Sequence, residues 1–400
     1  MQAEDREVEV VATAFLAGEG RKNKDIAPIL GISEVAVARN LARARKKYLR
    51  YRISFLQHKV SRSTMEKVHQ RLTRQALQDQ LNRLAESHGQ VQKVSLRVFP
   101  CGPCKDDPER MLKLGVAAAP LIRTLLLRSK SCGLTWGGML KNVVTGLRNL
   151  SCAPPWRKED IHFIPLSGEP LGKERASFSS SSLARDLGIA VNGDQYDAPS
   201  LAMVPAFIPD GFRRHEREGA WKLIELVKSY RDIFGPHYNG DTGQPATKRM
   251  APIALRLGMI LTSVGSHDHP LGFGRGVLFD RMTVSYEELK SLIVAEVGGV
   301  CIPRSNLSRA KLDQLETVQT SWTGLRLEHL ETCARRGTDP SKGPPGVVVV
   351  SGGAKRASVV CELIKRGLIN HLIIDDVLAE ELEKASRSAR QASHSELEVG

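Results

Sequence analysis

The sequence lacks any long hydrophobic run. None of its apolar stretches approaches the roughly 18 residues that a membrane-spanning helix needs. The first ten residues, MQAEDREVEV, are acidic and contain no basic segment followed by an apolar one, so we expect no signal peptide. A membrane protein and an exported protein are therefore not expected, and we predict a cytoplasmic protein.

Cysteine is also scarce, with seven residues in 400, an odd and scattered set that fits reduced thiols better than a disulfide framework. Cys101-Gly-Pro-Cys104 matches the motif of thioredoxin-like redox sites, in which one thiolate attacks and its neighbour resolves the mixed disulfide. Because Pro108 predicts that the next helix begins beyond Cys104, a plain loop with two thiols is favoured, and a redox-sensing regulator remains an alternative. No second Cys or His pair lies close by, so we predict no metal site and no cofactor.

Positive charge is abundant and is concentrated in one segment. Hydrophobic residues make up 41% and charged residues 26% of the chain, which is typical of a globular protein and excludes a disordered one. The formal net charge is +14, and the segment from Gly20 to Gln75 has 15 bases and 3 acids, a net +12. The remainder therefore has only +2. Such a local field favours a polyanionic partner, nucleic acid before an anionic membrane.

Three helical pieces are predicted around this basic segment. Apolar residues recur at helical spacing from Val8 to Leu16, a short helix is expected over about 24–30, and Gly31 supplies a turn. Ser33 is a candidate N-cap for a third, basic helix, whose apolar side would be formed by Val35, Val37, Leu41 and Ala44. This order is that of a helix-turn-helix, whose last helix enters the major groove of DNA.

The third helix supplies the candidate DNA contacts. We expect Glu34, Ala36, Arg39 and Asn40 near the base edges, and Arg43, Arg45, Lys46 and Lys47 near phosphates. Lys24 and Ser33 complete the predicted DNA-binding set. A helical bundle that binds nothing is the alternative, and the charge makes it less favoured.

Beyond this segment, one or two amphipathic helices are predicted up to His88, either packed on the body of the protein or forming a dimer contact. Short β-like runs then alternate with helices, for example HFIP, GMILT, GVVVVS and HLIID. Buried strands that end in glycines and lead into helices indicate a mostly parallel α/β sheet, in which ligands collect at the carboxyl ends of the strands. The predicted fold class is thus α/β, with an N-terminal all-α head.

Three segments, taken in order, resemble the SorC family of bacterial sugar-responsive transcriptional regulators. KDIAPILGISEVAVARNLARAR is similar to the family's helix-turn-helix. CGLTWGGML falls where the family has a Gly-x-x-Trp-Gly-x-Thr-Leu loop, and VVVVSGGAKRASVVCELIKRGLINHLIIDDVLAEEL is similar to its C-terminal segment. The resemblance spans residues 8–384 and implies a DNA-binding head on an effector domain that has the fold of sugar-phosphate isomerases and deaminases.

The resemblance also implies an effector site for a sugar, a polyol or one of their phosphates. Its residues would come from the glycine-rich strand ends: Gly133, Thr135, Trp136, Gly137, Gly138, Ser167, Gly168, Gly265, Ser266, Gly352, Gly353, Lys355 and Asp375. The chain departs from the family pattern at Gly138 and Met139, where an Arg-like residue and a Thr are usual, and at Ile374, which replaces a Thr. A hydroxyl expected to contact phosphate is therefore missing.

We predict a transcriptional regulator that binds double-stranded operator DNA and a small carbohydrate-like effector, without enzymatic activity, as a dimer or tetramer. The expected domains are a helix-turn-helix over 1–56, a helical connector over 57–88, an α/β effector domain over 89–384 and a polar tail over 385–400. The alternatives are a sugar-phosphate isomerase-like or deaminase-like enzyme with a basic arm, and the redox-sensing regulator.

Overall fold

A computed structural model gives the fold of the chain. The residues that it describes are 2–18, 21–47, 49–50, 54–55, 60–61, 64, 75–102, 104, 107–151, 161–169, 178–209, 214–235, 251–265, 284–337, 339 and 341–385. They form a helical N-terminal head and a six-stranded parallel sheet with helices on both faces. The predicted fold class, an all-α head followed by an α/β domain, is confirmed.

The head consists of three helices: α1 (Gln2–Gly18), α2 (Asn23–Leu30) and α3 (Glu34–Lys47). Val11, Phe15, Ile26 and Val37 are buried between them, as helical periodicity predicts. Gly31 ends α2 in the left-handed conformation, with φ of 64°, which glycine adopts without steric cost. The Ser33 hydroxyl accepts a hydrogen bond from the Ala36 N–H at 3.2 Å, so the predicted N-cap of α3 is confirmed.

The central sheet has the strand order β3-β10-β9-β6-β4-β5, and every neighbouring pair is parallel. Its strands are β3 (Ser95–Phe99), β4 (Ser131–Leu134), β5 (His162–Pro165), β6 (Met259–Thr262), β9 (Gly346–Ser351) and β10 (His371–Asp375). Val347 to Val350 in β9 are all buried, because helices cover both faces of the sheet.

The remaining strands form two antiparallel pairs: β1 (Leu49–Arg50) with β2 (Ser54–Phe55), and β7 (Ile293–Val297) with β8 (Val300–Pro303). The remaining helices are α4 (Gln75–Glu86), α5 (Asp107–Leu126), α6 (Gly138–Ser151), α7 (Ser180–Asn192), α8 (Arg214–Leu226), α9 (Lys228–Phe234), α10 (Tyr286–Leu292), α11 (Arg309–Ser321), α12 (Leu327–Arg336), α13 (Ala357–Lys365) and a last helix, α14, over 376–385.

Two apolar clusters lie on opposite faces of the sheet. Val348 and Val350 of β9 join the cluster of α5, α6 and α7, whereas Val347 and Val349 join the cluster of α4, α12 and α13. The first cluster also includes the apolar residues of the head. The head therefore packs directly on the α/β domain.

Within the predicted connector, residues 65–74 lie outside the described residues. Leu77 and Leu81 of α4 are buried, and α4 packs against α13 of the same chain. This segment of the connector thus belongs to the core of the domain. Most of the predicted polar tail, 386–400, lies outside the described residues. None of the described helices could cross a membrane, given its length and apolarity.

Candidate functional site

The carboxyl ends of β4, β6, β9 and β10 meet at one edge of the sheet, because these strands are parallel and adjacent. The loops and helix starts that follow them contain most of the predicted effector residues. Three strand spacings of about 4.8 Å separate β10 from β4, so the two ends of this edge are about 14 Å apart. The edge therefore has two halves, one around Asp375 and one around Thr135.

Asp375 is the last residue of β10, and its side chain is fully buried. Its carboxylate accepts hydrogen bonds from the Gly353 N–H, at 3.1 and 3.0 Å to the two oxygens, and from the Leu378 N–H at 2.8 Å. Asp375 and Gly353, which were both predicted to belong to the effector site, are thus in direct contact. Backbone donors aimed at a carboxylate stabilise its charged form.

The glycines that follow β9 allow this approach. A Cβ atom on Gly352 would lie 2.7 Å from Oδ2 of Asp375, and Gly353 has a φ of 83°. Both positions thus exclude ordinary side chains, for steric and conformational reasons respectively. Residues 354–356 form a short 3₁₀ turn that leads into α13.

Two arginines that the sequence reasoning missed lie beside Asp375. Nη1 of Arg110, from the first turns of α5, is 4.0 Å from Oδ2 of Asp375, and Nε of Arg110 is 3.9 Å from Oδ1 of Asp107. Arg356 donates a hydrogen bond from Nη1 to the carbonyl oxygen of Gly352. Lys355, the predicted cation, is exposed instead.

Burial, neighbouring charges and backbone N–H groups together shift the pKa values of this cluster. Burial raises the pKa of Asp375, and the nearby Asp376 adds to this, while the Leu378 and Gly353 N–H groups and Arg110 lower it. Burial also lowers the pKa of the Arg356 guanidinium, which Asp107 and Asp375 partly offset. The cluster is therefore an electrostatically coupled group of side chains next to the sheet edge.

The other half of the edge is lined by hydroxyl groups that bond to one another. Thr135 Oγ1 donates to Thr262 Oγ1 at 3.0 Å. Ser180 Oγ donates to the Ser167 carbonyl at 2.7 Å and accepts from the Ser167 hydroxyl at 3.1 Å. The predicted residues Thr135 and Ser167 are thus both buried and hydrogen-bonded within the protein.

Aromatic rings cover this second half. The half-buried Trp136 has its ring centroid 5.6 Å from that of Trp322. The turn between β7 and β8 packs on the same place, since a Cβ on Gly298 would collide with the Thr135 side chain and one on Gly299 with Trp322. The β7–β8 hairpin therefore closes over the end of β4.

The other predicted glycines have structural roles in the fold. A Cβ on Gly133 would meet the Leu166 and Leu257 side chains, and one on Gly168 would lie 2.6 Å from the carbonyl oxygens of two neighbours, Val204 and Pro205. Gly138 is the first residue of α6, and the Gly265 N–H donates to the Glu296 carbonyl at 3.1 Å. Ser266 lies outside the described residues.

The outer face of the head is basic. Lys24 of α2 and Glu34, Arg39, Arg43 and Arg45 of α3 are exposed, and Ala36 is half-buried. The side chains of Lys46 and Lys47 lie outside the described ones. The exposed arginines lie in the C-terminal two thirds of α3, which has 14 residues.

Two residues of α3 differ from the prediction. Asn40 is 3% exposed, and its Nδ2 donates to Thr13 Oγ1 of α1 at 3.5 Å, so it joins the helices of the head instead of facing outward. Val35, expected on the apolar inner side, is 78% exposed. In both cases the packing of α3 on α1 decides which side of the helix faces inward.

The head touches the domain beside the Asp375 half. The ring centroids of Phe15 in α1 and Phe99 in β3 are 6.5 Å apart, and each residue is 2% exposed. Beyond Phe99, the Cys101 N–H donates to Asp376 Oδ1 at 3.2 Å. The same few residues thus connect the head contact and the Asp375 cluster.

The Cys-Gly-Pro-Cys loop lies at this junction. Cys101 is buried, and burial, together with Asp375 and Asp376, raises its pKa to about 12. Cys104 is half-buried, and Nζ of Lys113 lies 3.7 Å from its Sγ. Among the described residues, no group of acidic, His and Cys side chains could hold a metal ion.

The chain shares its fold with solved transcriptional regulators. A DeoR family transcriptional regulator from Listeria monocytogenes matches 76% of this chain and 99% of its own length, with a TM-score of 0.50 and 18% identity. A domain of a possible sugar-binding transcriptional regulator from Arthrobacter aurescens TC1 matches 77% and 96%, with a TM-score of 0.50 and 18% identity. At these identities the likeness establishes the shared fold, as the sequence motifs predicted.

A longer match is the full-length sorbitol operon regulator SorC from Klebsiella pneumoniae, which covers 94% of this chain and 98% of its own length, with a TM-score of 0.49 and 16% identity. No protein-family model and no curated protein matches the sequence.

Proposed function

We propose that the protein is a one-component transcriptional regulator, in which the head binds operator DNA and the α/β domain binds a small carbohydrate-like effector. The observation that carries this proposal is the fusion of a capped helix-turn-helix, with arginines exposed on its last helix, to a domain that has the fold of sugar-binding regulators. Arg39 would lie near bases, and Arg43 and Arg45 would contact phosphates.

The effector site would lie at the carboxyl edge of the sheet, where Asp375, Gly352 and Gly353 meet Arg110 and Arg356. Effector binding would alter the orientation of the head, because the head packs on β3 next to this cluster. A dimer or tetramer would present two heads to paired half-sites, and it would act in the cytoplasm, where it meets operator DNA.

The enzyme alternative is less favoured. An isomerase or deaminase needs a general acid and base beside its sugar. Asp375 already accepts hydrogen bonds from two backbone N–H groups, and the cation predicted beside it, Lys355, is exposed. The fused head, which an enzyme of this class does not need, also favours sensing over turnover.

Fluorescence anisotropy with duplex DNA from upstream of the protein's own gene tests this proposal. We expect binding to that duplex that exceeds binding to a scrambled duplex, with a large loss in Arg39→Ala. Failure to bind any duplex at low salt would contradict the proposal.

A further inference from the structure

We propose that the effector is an unphosphorylated polyol or sugar, and that one of its hydroxyl groups bridges Arg110 and Asp375. This inference rests on the proposed function and assigns the chemical class of its ligand. It also assigns a binding role to Arg110, on α5, which no sequence motif indicated.

The first support is the separation of the two side chains. The 4.0 Å between Nη1 of Arg110 and Oδ2 of Asp375 is too long for a direct hydrogen bond. An oxygen atom placed to one side of that line can lie about 2.8 Å from both atoms, which is hydrogen-bond distance to each. The separation of these two buried atoms therefore matches that of two groups bridged by a single oxygen.

The second support is the chemistry required of that oxygen. It must accept a hydrogen bond from the guanidinium and donate one to the carboxylate, which has only acceptors when ionised. A hydroxyl group does both, whereas an ionised phosphate oxygen donates nothing and is repelled by the carboxylate. Burial raises the pKa of Asp375, and the Gly353 and Leu378 N–H groups, which donate to its carboxylate oxygens, oppose that rise and support the ionised form that this arrangement uses.

The third support is that two donor atoms of Arg110 have no hydrogen-bond acceptor among the described residues. Its Nε and Nη1 atoms are buried and make no hydrogen bond with the described residues, although 18% of the side chain is exposed. Buried polar atoms are almost always hydrogen-bonded in folded proteins, so donors without acceptors indicate a missing partner. A second hydroxyl of the same ligand could satisfy Nε.

Among the described residues, the charged groups that interact with Asp375, Arg356 or Cys101 are balanced in sign. The carboxylates of Asp107, Asp375 and Asp376 and the guanidinium groups of Arg21, Arg110 and Arg356 are coupled to one another or to Cys101 within the cluster. Three negative and three positive groups leave no excess of positive charge for a dianion. A neutral ligand fits this balance.

The backbone of the two glycine-rich loops that follow β4 and β9 gives a further support. The Gly137 N–H donates to the Phe178 carbonyl at 3.1 Å, and the Gly353 N–H donates to Asp375. Lys141, on the first turn of α6, holds its Nζ 4.5 Å over the Phe178 ring. These donors are engaged within the protein rather than directed at a phosphate.

Isothermal titration of the full-length protein tests the inference, using unphosphorylated hexoses, pentoses, hexitols and pentitols, their monophosphates, and inorganic phosphate. We expect binding by an unphosphorylated compound, at least tenfold stronger than by its phosphate. Asp375→Asn and Arg110→Met should each weaken it tenfold or more, while Lys113→Met, one turn along α5, should change it less than twofold. Arg110→Lys retains the charge and the aliphatic stem, and it should weaken binding because it loses the planar fork.

Tighter binding by a phosphate than by its parent compound would overturn the inference while leaving the proposed regulator intact. So would binding of an unphosphorylated compound that is unchanged in folded Arg110→Lys and Asp375→Asn, or the failure of all unphosphorylated compounds to bind. The DNA anisotropy assay, which needs no effector, separates these results from a failure of the proposed function.

Discussion

Phe99 and Asp375 are direct register partners at the ends of the parallel strands β3 and β10. The ring of Phe99 contacts Phe15 of the head, and the carboxylate of Asp375 forms part of the candidate effector site. One residue pair in the sheet therefore joins the surface that carries the head to the site that would bind the ligand. A small shift of β10 on effector binding would displace its neighbour β3 and so change the contact between Phe99 and Phe15.

Phe15→Leu tests this coupling. The smaller side chain should keep the head folded but loosen its contact with Phe99, so the effector-induced change in DNA affinity should shrink while effector affinity stays within about twofold. Phe163→Leu is the matched control, because Phe163 is fully buried in the domain and pairs with Tyr196. An undiminished effector response in Phe15→Leu would remove the aromatic contact from the coupling.

Arg43→Ala should weaken DNA binding to a similar degree for all sequences. Arg43 is exposed on α3 and would contact a phosphate, so its loss should make the slope of log affinity against log salt shallower by about one. Arg39→Ala should instead reduce discrimination between operator and scrambled duplex. Anisotropy titrations at several salt concentrations separate the two results, and a sequence-dependent loss in Arg43→Ala would contradict the assignment.

Asn40→Ala should destabilise the head without changing which DNA sequence is preferred. The side chain is buried and donates to Thr13, and losing such a bond costs about 1 kcal/mol of unfolding free energy. Chemical denaturation measures the loss, with the exposed Arg39→Ala as the control that should remain stable. If Asn40→Ala left stability unchanged and altered operator preference, Asn40 would be a base contact after all.

The two thiols of the Cys-Gly-Pro-Cys loop should differ in reactivity. With its pKa raised to about 12, Cys101 remains a protonated thiol at pH 7–8 and becomes a thiolate only as the pH approaches that value. Iodoacetamide should therefore label the half-buried Cys104 well before Cys101 at pH 7.5, as peptide mass spectrometry can follow. Equal labelling rates would contradict the burial argument.

The same loop tests the redox-sensing alternative. An attacking thiolate at Cys101 is disfavoured by its burial, so Cys101→Ser and Cys104→Ser should leave the response of DNA binding to peroxide unchanged. Loss of such a response in both variants would favour a redox sensor.

The elements of the fold could be predicted from local patterns. Helical periodicity and the Gly31 and Ser33 signals indicated the head, and apolar runs that end in glycine, such as that over 346–353, indicated the parallel strands. Asp375 and Gly353 could be placed together because the carboxyl ends of parallel strands share an edge.

The missed features depend on contacts between distant segments. Asn40 turns inward because of Thr13, which is 27 residues away. Arg110 and Arg356 look like ordinary charged residues of helix starts, and only the packing of α5 and of the turn after β9 brings them to Asp375. The β7–β8 hairpin was not predicted either, and it covers Thr135 through a turn of two glycines, Gly298 and Gly299.

The most direct test of the account measures the affinity of the full-length protein for its upstream DNA with and without the effector found by titration. We expect a change in affinity of at least fivefold in the parent protein and less than twofold in Asp375→Asn, with DNA binding in the absence of effector retained by both. An effector that binds at Asp375 but leaves DNA affinity unchanged would contradict the account, as would the absence of DNA binding.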